Sequence, residues 1–431
     1  MVNLNAKDIT FFAKTNFRNE DKRFGIKIED RRKHIYIVGK TGMGKTNLLE
    51  TMAISDIQSG KGVCILDPHG EFAEKMLDYV PRSRINDVFY FNPADLDYPV
   101  SFNLFEKVEP HYQHLVASGI MEVFKRIWKD ISWGPRLEYI LRNCILTLLE
   151  HPQTTLLDVQ KLLVNEDYRK RLVSKIKDPV LKNFWQNEFE NYPDRFQKEA
   201  ISPIQNKVGQ FTATLLIRNI VGQTKTSFNL REVMDKEKVL IVNLSKGKTG
   251  EDNSQLLGAM MITKLYLAAM SRVDVPEEKR KDFFLYCDEF QNFATDSFSS
   301  ILSEARKYRL NLVIAHQYID QLTEKLKDSV FGNVGTIISF RVGPEDSKYL
   351  EGEFNPPFER SDLVSLPKYH IYLKLMVDGT TSYPFSAITF PSSQIGRVKK
   401  NKEKIIKVSR RFYAKEKTKV EAHISKMARH F

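Results

Sequence analysis

A glycine-rich segment of eight residues constrains the fold of this 431-residue chain more than any other feature. It consists of Gly39, Lys40, Thr41, Gly42, Met43, Gly44, Lys45 and Thr46. The apolar run Ile35–Val38 leads directly into it, and a helical pattern follows over Lys45–Gln58. A strand, this glycine spacing and a helix together form the context of a phosphate-binding P-loop, although glycine-rich turns also end ordinary strands. The sequence therefore predicts a nucleotide-binding P-loop at residues 39–46.

The chemistry expected of this loop is phosphate binding assisted by a divalent cation. Its glycines let successive backbone N–H groups converge on phosphate oxygens, at a helix N-terminus whose dipole favours anions. Lys45 should reach the β- and γ-phosphates of ATP, and the Thr46 hydroxyl should ligate Mg²⁺. We therefore expect ATP and Mg²⁺ as the cofactors of this chain.

An acidic pair ends a second apolar run. Phe283–Cys287 is followed directly by Asp288-Glu289. Because ligands of open α/β sheets bind at the carboxyl ends of the strands, both carboxylates should lie near the P-loop. We expect Asp288 to hold Mg²⁺ through water and Glu289 to polarise the attacking water. The alternative is an acidic pair that only caps the next helix.

Two further polar residues flank the apolar run 310–315. Gln317 follows the run, where its amide could touch the γ-phosphate and report hydrolysis. Arg306 precedes the run on a helical segment and could serve a neighbouring subunit's site as an arginine finger. A plain strand-end glutamine and a solvated surface arginine are the alternatives.

An acidic turn, residues 67–71, follows the second strand candidate and should also face the nucleotide edge. Asp67 or Glu71 would then tune the site or belong to a subunit interface. A plain strand-to-helix turn with a glutamate at the helix start explains the same residues equally well.

Short apolar runs alternate with helical patterns along most of the chain, which predicts an α/β fold with a mostly parallel central sheet. The strand candidates are residues 34–38, 62–66, 88–91, 239–244, 283–287, 310–315 and 336–341. Between about 109 and 210 no strand pattern occurs, and apolar residues such as Leu137, Ile140 and Leu141 recur at helical spacing. This predicts an all-helical domain inserted between the third and fourth strands. Asp378-Gly379, between two apolar runs, predicts a C-terminal hairpin.

The predicted organisation has five segments. They are an N-terminal lead-in (1–33), the first part of the ATPase core (34–108), the inserted helical domain (109–210), the second part of the core (211–396) and a basic C-terminal tail (397–431).

The charge of the chain is concentrated in that tail. Its 35 residues hold 13 Lys or Arg and 3 Asp or Glu, so they carry +10 of the net charge of +12. A solvated basic helix and a contact with a phosphate backbone or an acidic partner are both open. Val420, Ile424 and Met427 share one helical face, and this apolar stripe favours an interaction helix.

The sequence also bears on location. No apolar run approaches the roughly 18 residues that span a bilayer. The N-terminus shows no signal pattern, and the three cysteines lack metal-ligand spacing. We therefore expect a cytoplasmic chain without a transmembrane segment, either free or peripheral at the inner face of the membrane.

Together these motifs resemble the HerA–FtsK superfamily of ring-forming ATPases, and within it the TraG/TraD-type coupling proteins of conjugation and type IV secretion. The P-loop, Asp288-Glu289, Arg306 and Gln317 stand in that family's order. The resemblance implies a RecA-like motor with an all-helical domain, assembled as a homo-hexamer that moves DNA through its pore. It also implies a relaxosome or secretion-channel component as a partner. We expect DNA binding to be sequence-tolerant, because the sequence shows no zinc finger or other base-reading motif. Many coupling proteins begin with membrane-spanning helices, a feature that this sequence does not show.

Three functions fit these features. The first is a DNA-translocating ATPase of the coupling-protein type. The second is a HerA-like translocase or helicase that processes DNA together with a nuclease. The third is a nucleotide-switched adaptor that recruits protein substrates to a secretion channel. DNA-stimulated hydrolysis would separate the first two from the third.

Overall fold

A computed structural model describes residues 8–17, 20–106, 108–128, 133–295 and 298–429 of the chain. Its centre is a sheet of eleven strands in the order β2-β1-β13-β10-β9-β3-β8-β7-β4-β6-β5, and a separate pair is formed by β11 and β12. The strands are β1 (Ile9–Thr15), β2 (Arg23–Lys27), β3 (Ile35–Val38), β4 (Gly62–Asp67), β5 (Val88–Phe91), β6 (Val239–Asn243), β7 (Phe283–Cys287), β8 (Leu310–His316), β9 (Thr336–Ser339), β10 (His370–Lys374), β11 (Met376–Val377), β12 (Thr380–Thr381) and β13 (Phe385–Thr389).

Nineteen α-helices connect and cover these strands within the described residues. They are α1 (Ile28–Arg31), α2 (Lys45–Gln58), α3 (Glu71–Leu77), α4 (Pro110–Ile127), α5 (Pro135–Glu150), α6 (Leu157–Val164), α7 (Glu166–Val173), α8 (Pro179–Asn183), α9 (Asp194–Ala213), α10 (Leu215–Val221), α11 (Leu230–Asp235), α12 (Lys246–Thr249), α13 (Glu251–Met270), α14 (Phe298–Glu304), α15 (Glu324–Asn333), α16 (Pro344–Phe354), α17 (Arg360–Ser365), α18 (Lys402–Tyr413) and α19 (Lys417–Arg429).

Seven of the strands, from β9 to β5 in the sheet order, run parallel. They coincide with the seven apolar runs, and every residue of these strands is buried. Burial on both faces explains why they read as continuous apolar segments without alternation. The predicted α/β class with a mostly parallel sheet is confirmed.

Four antiparallel strands extend the sheet beyond β9. The predicted hairpin pairs β10 with β13, and Asp378-Gly379 turns between β11 and β12. Both turn residues have the positive φ that such a turn requires, 49° and 80°. The pair β1 and β2 completes this edge of the sheet. Strand β1 pairs with β13, although the two strands lie near opposite ends of the sequence.

The chain forms two compact units. The first holds the sheet and comprises the described residues of Met1–Phe91, Leu230–Ser245 and Ala268–Ser409. The second is helical and comprises those of Asn92–Asn229, Lys246–Leu267 and Arg410–Phe431. No described residue of Asn92–Asn229 lies in a strand. The predicted domain boundaries stay predictions.

The basic tail supplies helices to both units. Ile405 of α18 is buried in the core of the sheet unit, whereas Val420 of α19 is 1% exposed. In the helical unit, a Cβ added at Gly222 would lie 3.1 Å from Ile424, and Asn219 donates to Glu421 at 3.3 Å. The apolar stripe predicted on α19 therefore packs against helical residues of its own chain.

One helical stretch, Glu251–Asp274, is long and apolar enough to cross a membrane by length and composition alone. The expectation from sequence, that no run approaches this length, is therefore too strict. Within the protein, 61% of the apolar window is buried. Such burial is typical of a core helix, so the stretch is weak evidence for a membrane span.

A polar cluster is buried in the sheet unit and joins α2 to β7; we call it the Arg31 cluster. The Arg31 guanidinium donates to both carboxylate oxygens of Asp56 at 2.8 Å and to the Tyr286 hydroxyl at 2.8 Å. Thr10 accepts a further bond from Arg31 at 2.7 Å, and the Phe284 ring lies 3.7 Å from the guanidinium carbon. The positive charge of Arg31 is thus balanced by the carboxylate of Asp56, and hydrogen bonds join the polar side chains of the cluster.

Candidate functional site

The carboxyl ends of three neighbouring strands bring the predicted site residues together. In the order β3, β8, β7, these strands end at Val38, His316 and Cys287. Val38 lies opposite His316, so Gly39 begins the P-loop beside Gln317. Because the strands are parallel and in register, the residues after each of them meet at one edge of the sheet.

Three glycines give the P-loop its shape. Gly39, Gly42 and Gly44 have φ values of 155°, 78° and 121°, which side-chain-bearing residues rarely adopt. A Cβ at Gly42 would meet nothing within 4 Å, whereas one at Gly39 would lie 2.6 Å from the side chain of Phe340. Gly39 is therefore required by close packing as well as by backbone conformation.

Lys45 begins α2 and turns its ammonium back into the loop. Its Nζ donates to the carbonyl oxygens of Gly39 at 2.6 Å and Lys40 at 3.3 Å. The side chain is 5% exposed, and this burial lowers its pKa, although the negative charges of Glu289 and Asp288 oppose the shift. The ammonium thus lies within the concave side of the loop, where an anion would be bound.

Asp288 lies directly beside Thr46. Its Oδ2 accepts a hydrogen bond of 2.9 Å from the Thr46 hydroxyl. Burial, followed by the negative charges of Glu289 and Asp67, raises the pKa of Asp288 to about 7, against the effects of Thr46 and Lys45. The site therefore holds carboxylates in excess of its positive charge, an arrangement that a bound cation would relieve.

Glu289 has a strained backbone and two amide partners. Its φ of 47° lies in the left-handed region, which is uncommon for a residue other than glycine. Gln317 donates to its Oε1 at 2.9 Å, and Gln291 donates to its Oε2 at 2.7 Å. Both carboxylate oxygens are thus oriented by amides at the end of β7.

Sequence reasoning passed over Gln291 and His316. Gln291 stands two residues after Glu289 in a short 3₁₀ turn, so only its spacing could have signalled the contact. His316 is buried, with Nε2 at 2.5 Å from the Tyr36 hydroxyl, and its carbonyl oxygen accepts a bond from Gly39 N at 3.3 Å. Burial, followed by the charge of Lys45, lowers its pKa to about 3, so it supports the loop in its neutral form.

Asp67 lies at the carboxyl end of its strand, β4, whereas Arg306 lies before the amino end of β8. The Asp67 carboxylate is buried and accepts bonds from the backbone N–H of His69 at 2.8 Å and of Ala73 at 3.0 Å, so it organises the turn after β4. Glu71 begins α3 and is exposed. Arg306 is exposed in the 3₁₀ turn before β8, at the amino end of that strand. The structure therefore does not bring Arg306 to the P-loop of its own chain.

The residues present fit a magnesium-bound nucleotide. Among the described residues there is no group of three or more His, Cys, Asp or Glu side chains able to hold a metal ion by themselves. A P-loop cation needs fewer protein ligands, because the phosphates supply the others. Thr46 and Asp288 would hold it on the protein side.

Comparisons with known proteins agree with this geometry. The sequence model of the type IV secretion-system coupling protein DNA-binding domain matches residues 24–351. The bacterial conjugative coupling protein TrwBdeltaN70, in an unbound form, is 14% identical, with 90% of this chain and 91% of that chain covered and a TM-score of 0.58. No curated protein matches the sequence.

Two further solved structures share the fold. The plasmid coupling protein TrwB in complex with ADP and Mg²⁺ is 15% identical over 86% of this chain and 89% of that chain, with a TM-score of 0.60. VirB4 of Thermoanaerobacter pseudethanolicus is 12% identical over 90% of this chain and 96% of that chain, with a TM-score of 0.54. At such identities these likenesses establish the P-loop fold and nothing finer.

Proposed function

Because the chain belongs to the family of type IV secretion-system coupling proteins with this DNA-binding domain, we propose that it is an ATP-hydrolysing ring motor that moves DNA or a nucleoprotein. The family membership expected from the motifs is confirmed. We place the motor in the cytoplasm at the inner face of the membrane, where it would meet a relaxosome or secretion-channel component.

One observation carries the proposal: the side chains needed for phosphoryl transfer converge at one edge of one sheet. Lys45 lies inside the loop, Thr46 bonds to Asp288, and Gln317 bonds to Glu289. A structure of similar fold binds ADP and Mg²⁺. We infer that the edge of this sheet binds MgATP.

Each residue then has a distinct task. The backbone N–H groups of residues 39–46 and the Lys45 ammonium stabilise the negative charge of the phosphates. Thr46 and Asp288 would hold Mg²⁺, which would supply positive charge to the phosphates. Glu289 accepts the proton of the attacking water, and Gln317 fixes the carboxylate of Glu289 in position for this transfer.

Arg306 has a role only in the assembled ring of this proposal. The seven residues of β8 separate it from the nucleotide edge, a distance of about 20 Å at roughly 3.3 Å per residue. Its exposed guanidinium is therefore remote from the P-loop of its own chain, and in the proposed ring it would act on the P-loop of a neighbouring subunit as an arginine finger. We propose such an action in a homo-hexamer.

The experiment that tests the proposed function is ATP hydrolysis measured with and without single- and double-stranded DNA. We expect DNA to stimulate turnover, and Lys45→Ala to abolish turnover with or without DNA, because alanine supplies no charge to the phosphates. A Lys45→Ala protein that hydrolyses ATP at the parent rate overturns the enzyme assignment. Turnover that is indifferent to DNA instead favours the adaptor, and co-purification with a nuclease favours the HerA-like role.

Mixed rings test Arg306 separately. Arg306→Ala and Lys45→Ala should each be inactive alone. Together they should regain part of the activity, because one kind of mixed interface joins an intact P-loop to an intact Arg306. Exchange of subunits is verified with two affinity tags. If verified mixed rings do not recover activity, Arg306 does not act between subunits.

A further inference from the structure

The sheet order restricts where the nucleoside of a bound nucleotide can lie. Glu289 and Gln317 follow β7 and β8, which lie on one side of β3. The reacting phosphate belongs on that side, since these residues act on it in the proposed function. Of the two directions along the sheet, the one away from that phosphate leads the ribose and base toward β9 and β10.

Tyr369, immediately before β10, lies against the P-loop on that side. A Cβ added at Gly44 would be 2.8 Å from Cδ1 and 3.3 Å from Cε1 of its ring. The ring of Phe340, just after β9, approaches the same point to 3.1 Å. Gly44 is therefore covered by two aromatic rings, and any side chain at this position would collide with them.

The backbone of Tyr369 is held on both sides. Its N–H donates to the Met43 carbonyl oxygen at 2.9 Å, and its carbonyl oxygen accepts a bond from the Thr389 N–H at 3.0 Å. Its φ of 68° is a left-handed conformation that costs a non-glycine residue free energy. The surrounding hydrogen bonds thus fix a strained residue beside the loop.

The side chain of Tyr369 nevertheless stays open to solvent, with 40% of its surface exposed. A ring needed only to fill the core would be buried like that of Phe340, which is fully buried. The Lys368 ammonium lies 4.9 Å from the centre of this ring. An exposed aromatic ring beside a phosphate loop is suited to stack a planar ligand that displaces this flexible side chain.

We propose that Tyr369 is the platform on which the base of the bound nucleotide stacks. This assignment rests on the proposed function, because it presumes that residues 39–46 bind the phosphates. A stacked base is read by its flat face and not by its hydrogen-bonding edge.

Calorimetric titration with two probes, MgADP and inorganic tripolyphosphate with Mg²⁺, tests the platform. Tyr369→Ala is expected to weaken MgADP binding by about 10- to 100-fold, the range for loss of one base–aromatic stack, and to leave tripolyphosphate binding unchanged. Tyr369→Phe should bind both probes like the parent. Tyr369→Leu keeps bulk against Gly44 without an aromatic face, so it should lose MgADP affinity even if the alanine variant folds poorly.

Tyr383→Ala serves as the matched control, because Tyr383 is a tyrosine of the same unit that is 88% exposed in the segment between β12 and β13. Equal weakening of both probes would show that Tyr369 only supports the loop, and unchanged MgADP binding in the alanine and leucine variants would also overturn the platform. If the parent protein binds neither probe, the proposed function fails along with it. If the parent protein binds tripolyphosphate normally and the variants contradict the platform, only the platform proposal fails and the proposed function stands.

Discussion

Two buried polar clusters connect α2 with β7 or with the residues directly after it, and their charges are balanced differently. In the Arg31 cluster one guanidinium faces one carboxylate, Asp56, and Tyr286 bonds to both. At the candidate site, Lys45 faces both Asp288 and Glu289, and the pKa of Asp288 is raised to about 7. The charges of the first cluster balance each other without a ligand, whereas the second has excess negative charge that a bound cation would balance. Burial of charge therefore indicates function only where the charges do not compensate each other.

The largest effect expected on the catalytic side of this comparison comes from Glu289→Gln. The amide keeps the shape of the side chain but accepts no proton, so hydrolysis should fall by about 10²- to 10⁴-fold. MgADP affinity and the thermal midpoint should remain close to those of the parent. Phosphate release at fixed times measures hydrolysis, titration calorimetry measures MgADP affinity, and scanning calorimetry measures the thermal midpoint. A variant that loses nucleotide binding and folding together would show that this carboxylate is structural.

On the structural side, Arg31→Met should reduce the free energy of unfolding by about 3–5 kcal/mol, because it leaves the buried Asp56 carboxylate without its partner. Chemical denaturation at low temperature measures the loss. The double variant Arg31→Met with Asp56→Leu is the control and should recover much of the stability, since it removes both charges. Turnover per folded molecule should be nearly unchanged in the double variant. Equal losses in the single and double variants would contradict a compensated pair.

The pH dependence of stability should separate the clusters further. The pKa of Asp288 is raised in the folded protein, so its contribution to stability is present at low pH and is lost as pH rises toward about 7. Without metal or nucleotide, Asp288→Asn should gain stability over the parent by about 1 kcal/mol for each pH unit between 4 and 7. Above that range the difference should be constant. Unfolding curves in a chelating buffer measure it, and a difference independent of pH would contradict the excess negative charge.

The smallest effect should come from Gln291→Ala, which removes one of the two amides on Glu289. Because Gln317 still holds the other carboxylate oxygen, we expect kcat to fall by about 3- to 10-fold, the value of roughly one hydrogen bond, with KM unchanged. Gln317→Ala is the comparison variant and should lower kcat more if it also contacts phosphate. A rise in KM without a change in kcat would place Gln291 in binding instead.

Much of the fold followed from local patterns. Apolar runs predicted all seven parallel strands, because strands buried on both faces need continuous apolar sequence. The P-loop and the acidic pair then followed from the rule that such strands end at one edge. The structure brings Lys45, Thr46, Asp288, Glu289 and Gln317 to that edge; their catalytic roles stay predictions.

Other features depend on partners that are distant in sequence. Arg31 stands in a charged run that suggests a solvated turn, yet it is buried because Tyr286 lies 255 residues away in the chain. Strand β1 was missed for the same reason, since its partner β13 is formed near the other end of the sequence. Tyr369 gave no local signal either, because its position depends on the close approach of Gly44.

The left-handed backbone of Glu289 carries a consequence for evolution of this chain. A residue with a side chain in that conformation costs of order 1 kcal/mol that glycine or asparagine would not. Selection for heat resistance alone would therefore favour glycine or asparagine at position 289, and the carboxylate of this residue would be lost. Thermostable descendants of this chain are best sought by mutating positions outside the loop edge, with residue 289 held fixed.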